Sequence, residues 1–189
     1  MLTEDLRETF KGFSNKIGED FGKTGLPPNF FTFLILVFGF IAAYFIYLGS
    51  FKMAILFILI SGLMDFIDGA VAKVNEKETK FGALFDSVSD KTSEISWYLA
   101  FGLLNPQLWF GASLAIAFFM LSSYISKHAK ASGGKSGGGI MERKERLILI
   151  ILGLFFINYI SYILYIIAFF SFVTCLQRFF RNYKILITL

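Results

Sequence analysis

Four aspartates lie within stretches of this chain that are otherwise apolar enough to span a bilayer. They form two pairs, Asp65 with Asp68 and Asp86 with Asp90. A carboxylate at mid-membrane costs about 2.5–3.5 kcal/mol on insertion scales, so four of them facing lipid would cost on the order of 10 kcal/mol. We therefore expect these side chains to face one another, a cavity or a cation, and we expect the function to reside there.

The spacing of the aspartates places each pair on one face of a helix. Asp65 and Asp68 are three positions apart, and Asp86 and Asp90 are four positions apart; residues at these intervals are neighbours on a helix surface. Small residues adjoin both acidic faces, namely Gly69, Ala72 and Gly82. Because a short connection joins the two helices, they are expected to be antiparallel neighbours whose acidic faces converge.

Converging carboxylates repel one another unless a cation lies between them. An all-oxygen ligand set suits Mg²⁺, Mn²⁺ or Ca²⁺ better than Zn²⁺, and Mg²⁺ usually binds few carboxylates together with substrate phosphates. The same groups could instead form a proton or cation pathway, or a polar packing network between helices. The acidic pairs alone leave catalysis and transport equally open. Glu94 extends the face of Asp90, and a supporting or packing role is expected for it.

The composition predicts an all-α integral membrane protein. Hydrophobic residues make up 56% of the 189 positions, whereas soluble domains average about 45–50%. The excess lies in blocks whose length matches the roughly 20 residues that a helix needs to cross the bilayer. These blocks predict six transmembrane helices, at roughly 29–49, 52–74, 81–104, 107–130, 143–160 and 162–182.

Residues 1–22 are predicted to form an amphipathic helix in the membrane interface, preceding a transmembrane domain of residues 23–189. Apolar residues recur there every three or four positions among charged ones. They are Leu2, Leu6, Phe10, Phe13 and Ile17. The alternative is a helix that packs on a soluble domain, although the sequence shows no such domain.

The placement of Lys and Arg predicts the orientation in the membrane. Basic residues are concentrated at both ends of the chain and in the connections after the second and fourth predicted helices, whereas the connections after the third and fifth contain neither Lys nor Arg. By the positive-inside rule, both termini are cytoplasmic and the acidic cluster faces the cytoplasm. Because the positive charge follows the membrane topology, no nucleic-acid partner is expected.

The aspartates belong to a longer pattern that resembles the signature of the CDP-alcohol phosphotransferase family, Asp-x2-Asp-Gly-x2-Ala-Arg-x8-Gly-x3-Asp-x3-Asp. Every spacing is intact here, in Asp65, Asp68, Gly69, Ala72, Lys73, Gly82, Asp86 and Asp90. One residue departs from the pattern, because Lys73 stands where the family has Arg. In addition, Pro28-Asn29-Phe-Phe-Thr32 is similar to the family's Pro-Asn-x2-Thr element at the start of its first span.

This resemblance implies an enzyme that transfers a phosphate-linked group from a CDP-lipid to an alcohol and releases CMP. It implies two divalent ions, Mg²⁺ or Mn²⁺, held by Asp65, Asp68 and Asp86 with Asp90 in the same acidic set, and it makes Asp90 the catalytic base. The nucleotide-binding residues that it implies are Asn29, Thr32, Asp65, Asp68, Gly69, Ala72, Lys73 and Gly82. Six spans, an interfacial N-terminal helix and a homodimer are further features of the family.

A second resemblance concerns the acceptor alcohol. Residues 123–133, 139–147 and 174–178 look like those of phosphatidylinositol-phosphate synthases and their archaeal ether-lipid counterparts, whose acceptor is inositol 1-phosphate. The residues that this implies for the acceptor's phosphate are Ser123, Lys127, Arg143, Arg146 and Arg178. Ser126 stands where that subfamily typically has Lys, so the same chemistry with glycerol 3-phosphate, serine or inositol stays open.

The basic residues also have simpler explanations. Arg143 and Arg146 could be ordinary positive-inside residues, and Arg178 could snorkel to the headgroups. The glycine-rich run between the fourth and fifth predicted helices, residues 133–139, lacks the strand context of a phosphate-binding loop. Its composition predicts a flexible connection that could admit substrate from the cytoplasm. A cation transporter is the competing function from a different class.

Overall fold

The computed structural model describes residue 12 and residues 14–75 and 78–187, and the regular structure in these ranges is helical. Helix α1 is described over residues 14–22. The helices that follow are α2 (Pro28–Tyr47), α3 (Phe51–Val74), α4 (Lys80–Leu104), α5 (Trp109–Ala131), α6 (Arg143–Phe155) and α7 (Ile160–Ile187). Short 3-10 turns, Pro106–Leu108 and Ile157–Tyr159, precede α5 and α7.

The helices occur where the apolar blocks predict them, but only some have the composition of a membrane span. Four helical stretches in the described ranges are long and apolar enough, namely Pro28–Tyr47, Phe51–Val74, Pro106–Ala131 and Ile157–Ile187. Helix α4 is not among them because it carries the charges of Asp86, Asp90, Lys91 and Glu94 within its length. Helix α6 has 13 residues, fewer than the roughly 17–25 that a span requires.

Local chemistry explains where several helices begin. Helix α2 starts at Pro28, whose fixed φ and missing N–H suit a first helical position. The hydroxyl Oγ1 of Thr79 accepts the N–H of Gly82 at 2.9 Å, which caps the start of α4. Glu142 and Glu145 form a reciprocal capping box at the start of α6.

The chain divides into two compact units. The first comprises residues up to Phe45 together with Met53–Trp97, and the second comprises Ile46–Lys52 together with the chain from Tyr98 onward. The first unit therefore contains both acidic pairs, and the second contains α5, α6 and α7.

In the first unit, α2 is joined to α3 and α4 by hydrogen bonds to its own backbone carbonyls. The carbonyl of Ile35 accepts from Ser61 Oγ on α3 at 3.0 Å and from Ser93 Oγ on α4 at 3.2 Å. The indole Nε1 of Trp97 donates to the carbonyl of Gly39 at 2.9 Å. Hydroxyl and small residues at helix contacts let backbones approach closely in a membrane, and these bonds fix α3 and α4 against α2.

Helix α1 packs along the carboxyl-terminal half of α3. Ile17 packs against a buried cluster of Phe31, Ile67 and Val71. A Cβ added at Gly18 would lie 2.6 Å from the carbonyl oxygen of Ala70, so the two backbones are in close contact. Leu2, Leu6, Phe10 and Phe13 of the predicted interfacial stripe lie outside the described residues, and the interfacial role of residues 1–22 stays a prediction.

In the second unit, α5 and α7 form the main helix pair. The buried thiol of Cys175 donates to the carbonyl of Phe118 at 3.1 Å. The rings of Phe118 and Phe172 lie 5.1 Å apart. A Cβ at Gly111 would lie 3.3 Å from Leu164, so this glycine too sits at a close helix contact.

Candidate functional site

Three aspartates of α3 and α4 converge in the first unit. One carboxylate oxygen from each of Asp65, Asp68 and Asp86 lies within 4.8 Å of the other two. Ligands on opposite sides of a divalent ion bound at about 2.0–2.6 Å are about 4–5 Å apart, so this oxygen set fits such an ion. Asp90 follows one turn after Asp86 on α4, and its Oδ1 is buried.

Thr32 fixes the orientation of Asp68. Its buried hydroxyl donates to Asp68 Oδ2 at 2.7 Å and lies 3.4 Å from the carbonyl of Pro28. Thr32 and Asp68 are 2% and 7% exposed, so the bond is shielded from water and holds one rotamer of the carboxylate. The predicted nucleotide contact at Thr32 is thus also a residue that orders the acidic cluster.

A cavity of about 550 Å³ opens beside the aspartates. Ligand sites typically enclose about 300–1,000 Å³. Its lining includes six of the predicted nucleotide contacts, Asn29, Thr32, Asp68, Gly69, Ala72 and Gly82, together with Asp86. A Cβ added at Gly69 would meet no atom within 4 Å, so a ligand can approach the α3 backbone at this position.

Gly82 lets the start of α4 approach the start of α2. A Cβ at this position would lie 3.0 Å from Thr79 Oγ1 and 3.2 Å from Asn29 Oδ1. The side chain of Asn29 therefore lies beside the α4 terminus, where the two elements of the sequence signature meet.

The cavity differs from the predicted nucleotide site in two respects. Asp65 and Lys73 lie outside its lining as described, and Lys73 is exposed. The lining also includes Glu78 and Thr79 from the connection before α4 and Lys80, the first residue of α4. These three positions fall in the eight-residue spacer of the signature, which specifies no residue type, so the sequence pattern did not single them out.

Arg178 in the second unit is bonded inside the protein. Its Nε donates to the carbonyl of Gly138 at 2.7 Å and its Nη1 to the carbonyl of Ser122 at 2.9 Å. Its Nη2 lies 3.5 Å from Glu142 Oε1. With 8% of its surface exposed, this side chain does not snorkel to a membrane surface.

Arg146 is also buried, at 7% exposure. Its guanidinium lies 4.7 Å from the centroid of the Phe119 ring, a distance at which a cation is attracted to the ring face. Its Nη1 is 3.5 Å from the carbonyl of Met141. The positive-inside rule alone does not account for the burial of both arginines among apolar helices. Removing a charge from water costs free energy, and only fixed binding partners offset that cost.

The other predicted acceptor residues are less enclosed. Ser123 and Arg143 are half-buried and Lys127 is exposed. The hydroxyl of Ser126, which stands at the subfamily's lysine position, accepts the N–H of Gly137 at 2.8 Å. Ser126 therefore binds the glycine-rich connection of this chain.

Residues 26–175 match the family model of the CDP-alcohol phosphatidyltransferases. The chain belongs to this family. It is thus a transferase and an integral membrane protein of phospholipid synthesis, and a CDP-alcohol phosphatidyltransferase moves the substituted phosphate of a CDP-lipid to an alcohol. This confirms the family predicted from the aspartate signature, and the family's requirement for divalent metal agrees with the acidic cluster.

Two relatives of this CDP-alcohol phosphatidyltransferase are named as synthases of inositol phosphate lipids. The archaetidylinositol phosphate synthase of Pyrococcus horikoshii is 29% identical over 184 residues, which cover 97% of each chain. The phosphatidylinositol phosphate synthase of Mycobacteroides abscessus is 29% identical over 161 residues, covering 79% of this chain and 71% of the relative.

Crystal structures of the phosphatidylinositol phosphate synthase of Mycobacterium tuberculosis share the fold. One contains bound CDP-DAG and the other is a complex with manganese and citrate. Each matches with a TM-score of 0.82 at 24% identity, covering 90% of this chain and 94% and 89% of the respective structures.

Proposed function

We propose that this CDP-alcohol phosphatidyltransferase transfers a phosphatidyl-type group, diacylglycerol phosphate or archaeol phosphate, from a CDP-lipid to a hydroxyl of inositol 1-phosphate. The observation that carries the proposal is the convergence of Asp65, Asp68 and Asp86 beside a cavity lined by small residues. The two relatives named for inositol phosphate products support this acceptor.

Asp65, Asp68 and Asp86 are the residues that would hold divalent metal, two ions of Mg²⁺ or Mn²⁺, with Asp90 in the same acidic set. Metal bound there supplies positive charge that neutralises the donor diphosphate and stabilises the charge developing at phosphorus and on the departing CMP. Thr32 supports this role because its hydrogen bond holds Asp68 in one orientation.

The CDP group occupies the cavity of the first unit in this proposal. Gly69, Ala72 and Gly82 give it room against the helix backbones, and Asn29 and Thr32 provide polar atoms in the cavity lining. Lys73 contacts the donor from the rim of the site. It keeps the charge of the family's arginine but lacks the planar fork that binds phosphate through two bonds.

Asp90 acts as the general base. It accepts the proton of the acceptor hydroxyl while that oxygen bonds to the phosphorus of the CDP-lipid. In the same substitution, the bond between this phosphorus and the oxygen that bridges the two phosphates breaks. CMP leaves with that oxygen and its electron pair. The products are CMP and the phosphodiester of inositol phosphate.

The acceptor's phosphate is bound by Ser123, Lys127, Arg143, Arg146 and Arg178 in this proposal. Arginine donates paired, charge-assisted hydrogen bonds to phosphate oxygens, and the burial of Arg146 and Arg178 strengthens such bonds because water does not compete. Glycerol 3-phosphate would use the same phosphate contacts, whereas serine and inositol would not.

We further propose that the six helices α2 to α7 cross the membrane, with both termini and the active site on the cytoplasmic side. This arrangement follows the Lys and Arg distribution and gives the water-soluble acceptor access to the site. Residues 1–22 form the interfacial helix, residues 23–189 form the catalytic domain, and the enzyme is a homodimer.

The test of this function is CMP release by purified protein supplied with CDP-diacylglycerol or CDP-archaeol and one acceptor at a time. Inositol 1-phosphate is expected to give the highest kcat/KM, with inositol and serine near background. Arg146→Lys should raise the KM for inositol 1-phosphate and leave the KM for the donor unchanged. A higher kcat/KM with glycerol 3-phosphate, serine or inositol would show that the acceptor assignment is wrong.

A further inference from the structure

Five polar side chains on one face of α7 bind the backbone of the connection between α5 and α6. Their spacing along the sequence places these residues on the same face of the helix, and we call them the α7 clasp. They are Thr174, Gln177, Arg178, Arg181 and Asn182. Their partners run in the opposite order along the connection, Met141, Ile140, Gly138, Gly137 and Lys135.

The clasp bonds are short and use both donors and acceptors. Thr174 Oγ1 accepts the N–H of Met141 at 2.9 Å, and Asn182 Oδ1 accepts the N–H of Lys135 at 2.8 Å. Gln177 Oε1 accepts the N–H of Ile140 at 3.2 Å. The glycine-rich connection is therefore fixed along its length in this structure, although its composition alone predicts flexibility.

The glycines permit this close approach. Gly138 and Gly139 have φ angles of 72° and 132°, which side chains with a Cβ rarely adopt. A Cβ at Gly139 would overlap the Cγ2 methyl of Thr174, and one at Gly138 would overlap Arg181. The glycine content thus serves the contact with α7.

The connection also holds both buried arginines. Arg178 donates to the carbonyl of Gly138, and Arg146 Nη1 lies 3.5 Å from the carbonyl of Met141. Glu142 accepts the N–H of Gly138 at 2.7 Å and lies 3.5 Å from Arg178. The position of the connection therefore determines where the two guanidinium groups point.

We infer that Thr174 and Asn182 are positioning residues of the acceptor site, which they control by fixing the connection that orients Arg146 and Arg178. The inference rests on the proposed role of these arginines in binding the acceptor. Thr174 is fully buried, and its hydroxyl joins Met141 N–H to the carbonyl of Phe170. Asn182 joins Lys135 N–H to the carbonyl of Arg178, with its Nδ2 donating at 2.9 Å.

The test compares Thr174→Val, which removes the hydroxyl at nearly constant shape, with Thr174→Ser, which keeps it. Ser171→Ala is the matched control, because the buried Ser171 hydroxyl, one turn away on α7, makes no hydrogen bond within the described ranges. Two quantities are measured, amide hydrogen exchange in residues 135–141 and the KM for each substrate in CMP release.

Thr174→Val is expected to speed exchange in residues 135–141 and to raise the acceptor KM by about fivefold to tenfold, the effect of one lost hydrogen bond. The donor KM should change by less than about twofold, since the clasp leaves the CDP cavity untouched. Thr174→Ser and Ser171→Ala should match the wild type in both measurements.

Unchanged exchange in Thr174→Val, or an equal rise in both KM values, would overturn the inference. This assay uses the acceptor for which the wild-type enzyme has the highest kcat/KM, whichever acceptor that is. If that acceptor carries no phosphate, the proposed function fails, and a selective rise in its KM together with faster exchange still supports Thr174 as a positioning residue.

Discussion

Asp68 is a member of the acidic cluster that a hydrogen bond within the protein holds in one orientation. It is buried, and Thr32 on α2 donates to it from a distance of 36 residues in sequence. Removing a group that orients a metal ligand typically lowers metal affinity by about 10–100-fold. The Thr32 hydroxyl should therefore matter for metal binding independently of any contact with nucleotide.

Thr32→Val is accordingly expected to weaken Mn²⁺ binding by at least about tenfold. Mn²⁺ affinity of the purified protein, measured by electron paramagnetic resonance without substrate, gives the readout. Thr32→Ser keeps the hydroxyl and should bind Mn²⁺ like the wild type. Equal affinities for the valine and serine variants would show that Thr32 does not order the cluster.

Asp90→Asn should reduce kcat by about 10²–10⁴-fold, because an amide cannot accept the proton of the acceptor hydroxyl. The substitution is nearly isosteric, so thermal stability in detergent is expected to stay close to that of the wild type. CMP release and the melting temperature are measured on the same preparation. A folded Asp90→Asn enzyme with full turnover would remove Asp90 from the mechanism.

The site could be predicted from sequence where fixed spacing on a helix determines proximity. Asp65, Asp68 and Asp86 are examples, because helix geometry puts each on an acidic face and a short connection brings α3 to α4. The Thr32 bond to Asp68 could not be derived in this way, since it depends on how α2 packs. Glu78 lines the cavity from a connection that has no periodic pattern, and Lys80 lines it from the first position of α4.

At the scale of helices, α2 holds α3 and α4 through its backbone, and Gly39 lies at a close contact with α4. A Cβ there would overlap the side chain of Ser93. Gly39→Ala is therefore expected to destabilise the protein by about 1–3 kcal/mol, the usual effect of overpacking. Gly62→Ala on α3 is the control, because a Cβ there meets no atom within 4 Å.

Melting temperature in detergent and CMP release at a fixed temperature measure this effect. Gly39→Ala should lower both, since a displaced α4 carries Asp86 with it, and Gly62→Ala should leave both near the wild-type values. If the two variants behave alike, the close contact between α2 and α4 does not contribute to stability.

The helices themselves were predictable from apolar blocks, but the α7 clasp was not. The spacing of Thr174, Gln177 and Arg178 marks one polar face of α7, and that pattern alone does not say what the face contacts. Its partners are backbone groups of a glycine-rich segment. Because every residue has the same backbone groups, a pattern of residue types does not reveal them. The capping box of Glu142 and Glu145 was present in the sequence as Glu-x-x-Glu, although its position next to Arg178 required the fold.

At the scale of the whole molecule, the proposed six-span arrangement depends on α4 and α6. Cysteine labelling in a Cys175→Ser background tests both helices, using exposed positions at their ends. Lys80→Cys and Gln107→Cys flank α4, and Ser136→Cys and Asn158→Cys flank α6. We expect Lys80→Cys and Ser136→Cys to react only from the cytoplasmic side and the other two only from the opposite side.

Labelling of both α4 positions from one side would show that α4 does not cross the membrane. Labelling of both α6 positions from one side would show the same for α6. The charges of α4 do not prevent it from spanning if its acidic face is turned away from lipid. The convergence of Asp86 with Asp65 and Asp68 shows that this face is turned toward α3.

The proposed chemistry depends on a divalent metal site that α3 and α4 form together. Crystals grown with Mn²⁺ and measured at the manganese absorption edge test it directly through an anomalous difference map. We predict peaks bonded to oxygens of Asp65, Asp68 and Asp86, which disappear in Asp68→Asn. A map with no peak among these carboxylates, from enzyme that is active in the same Mn²⁺ concentration, would contradict the account.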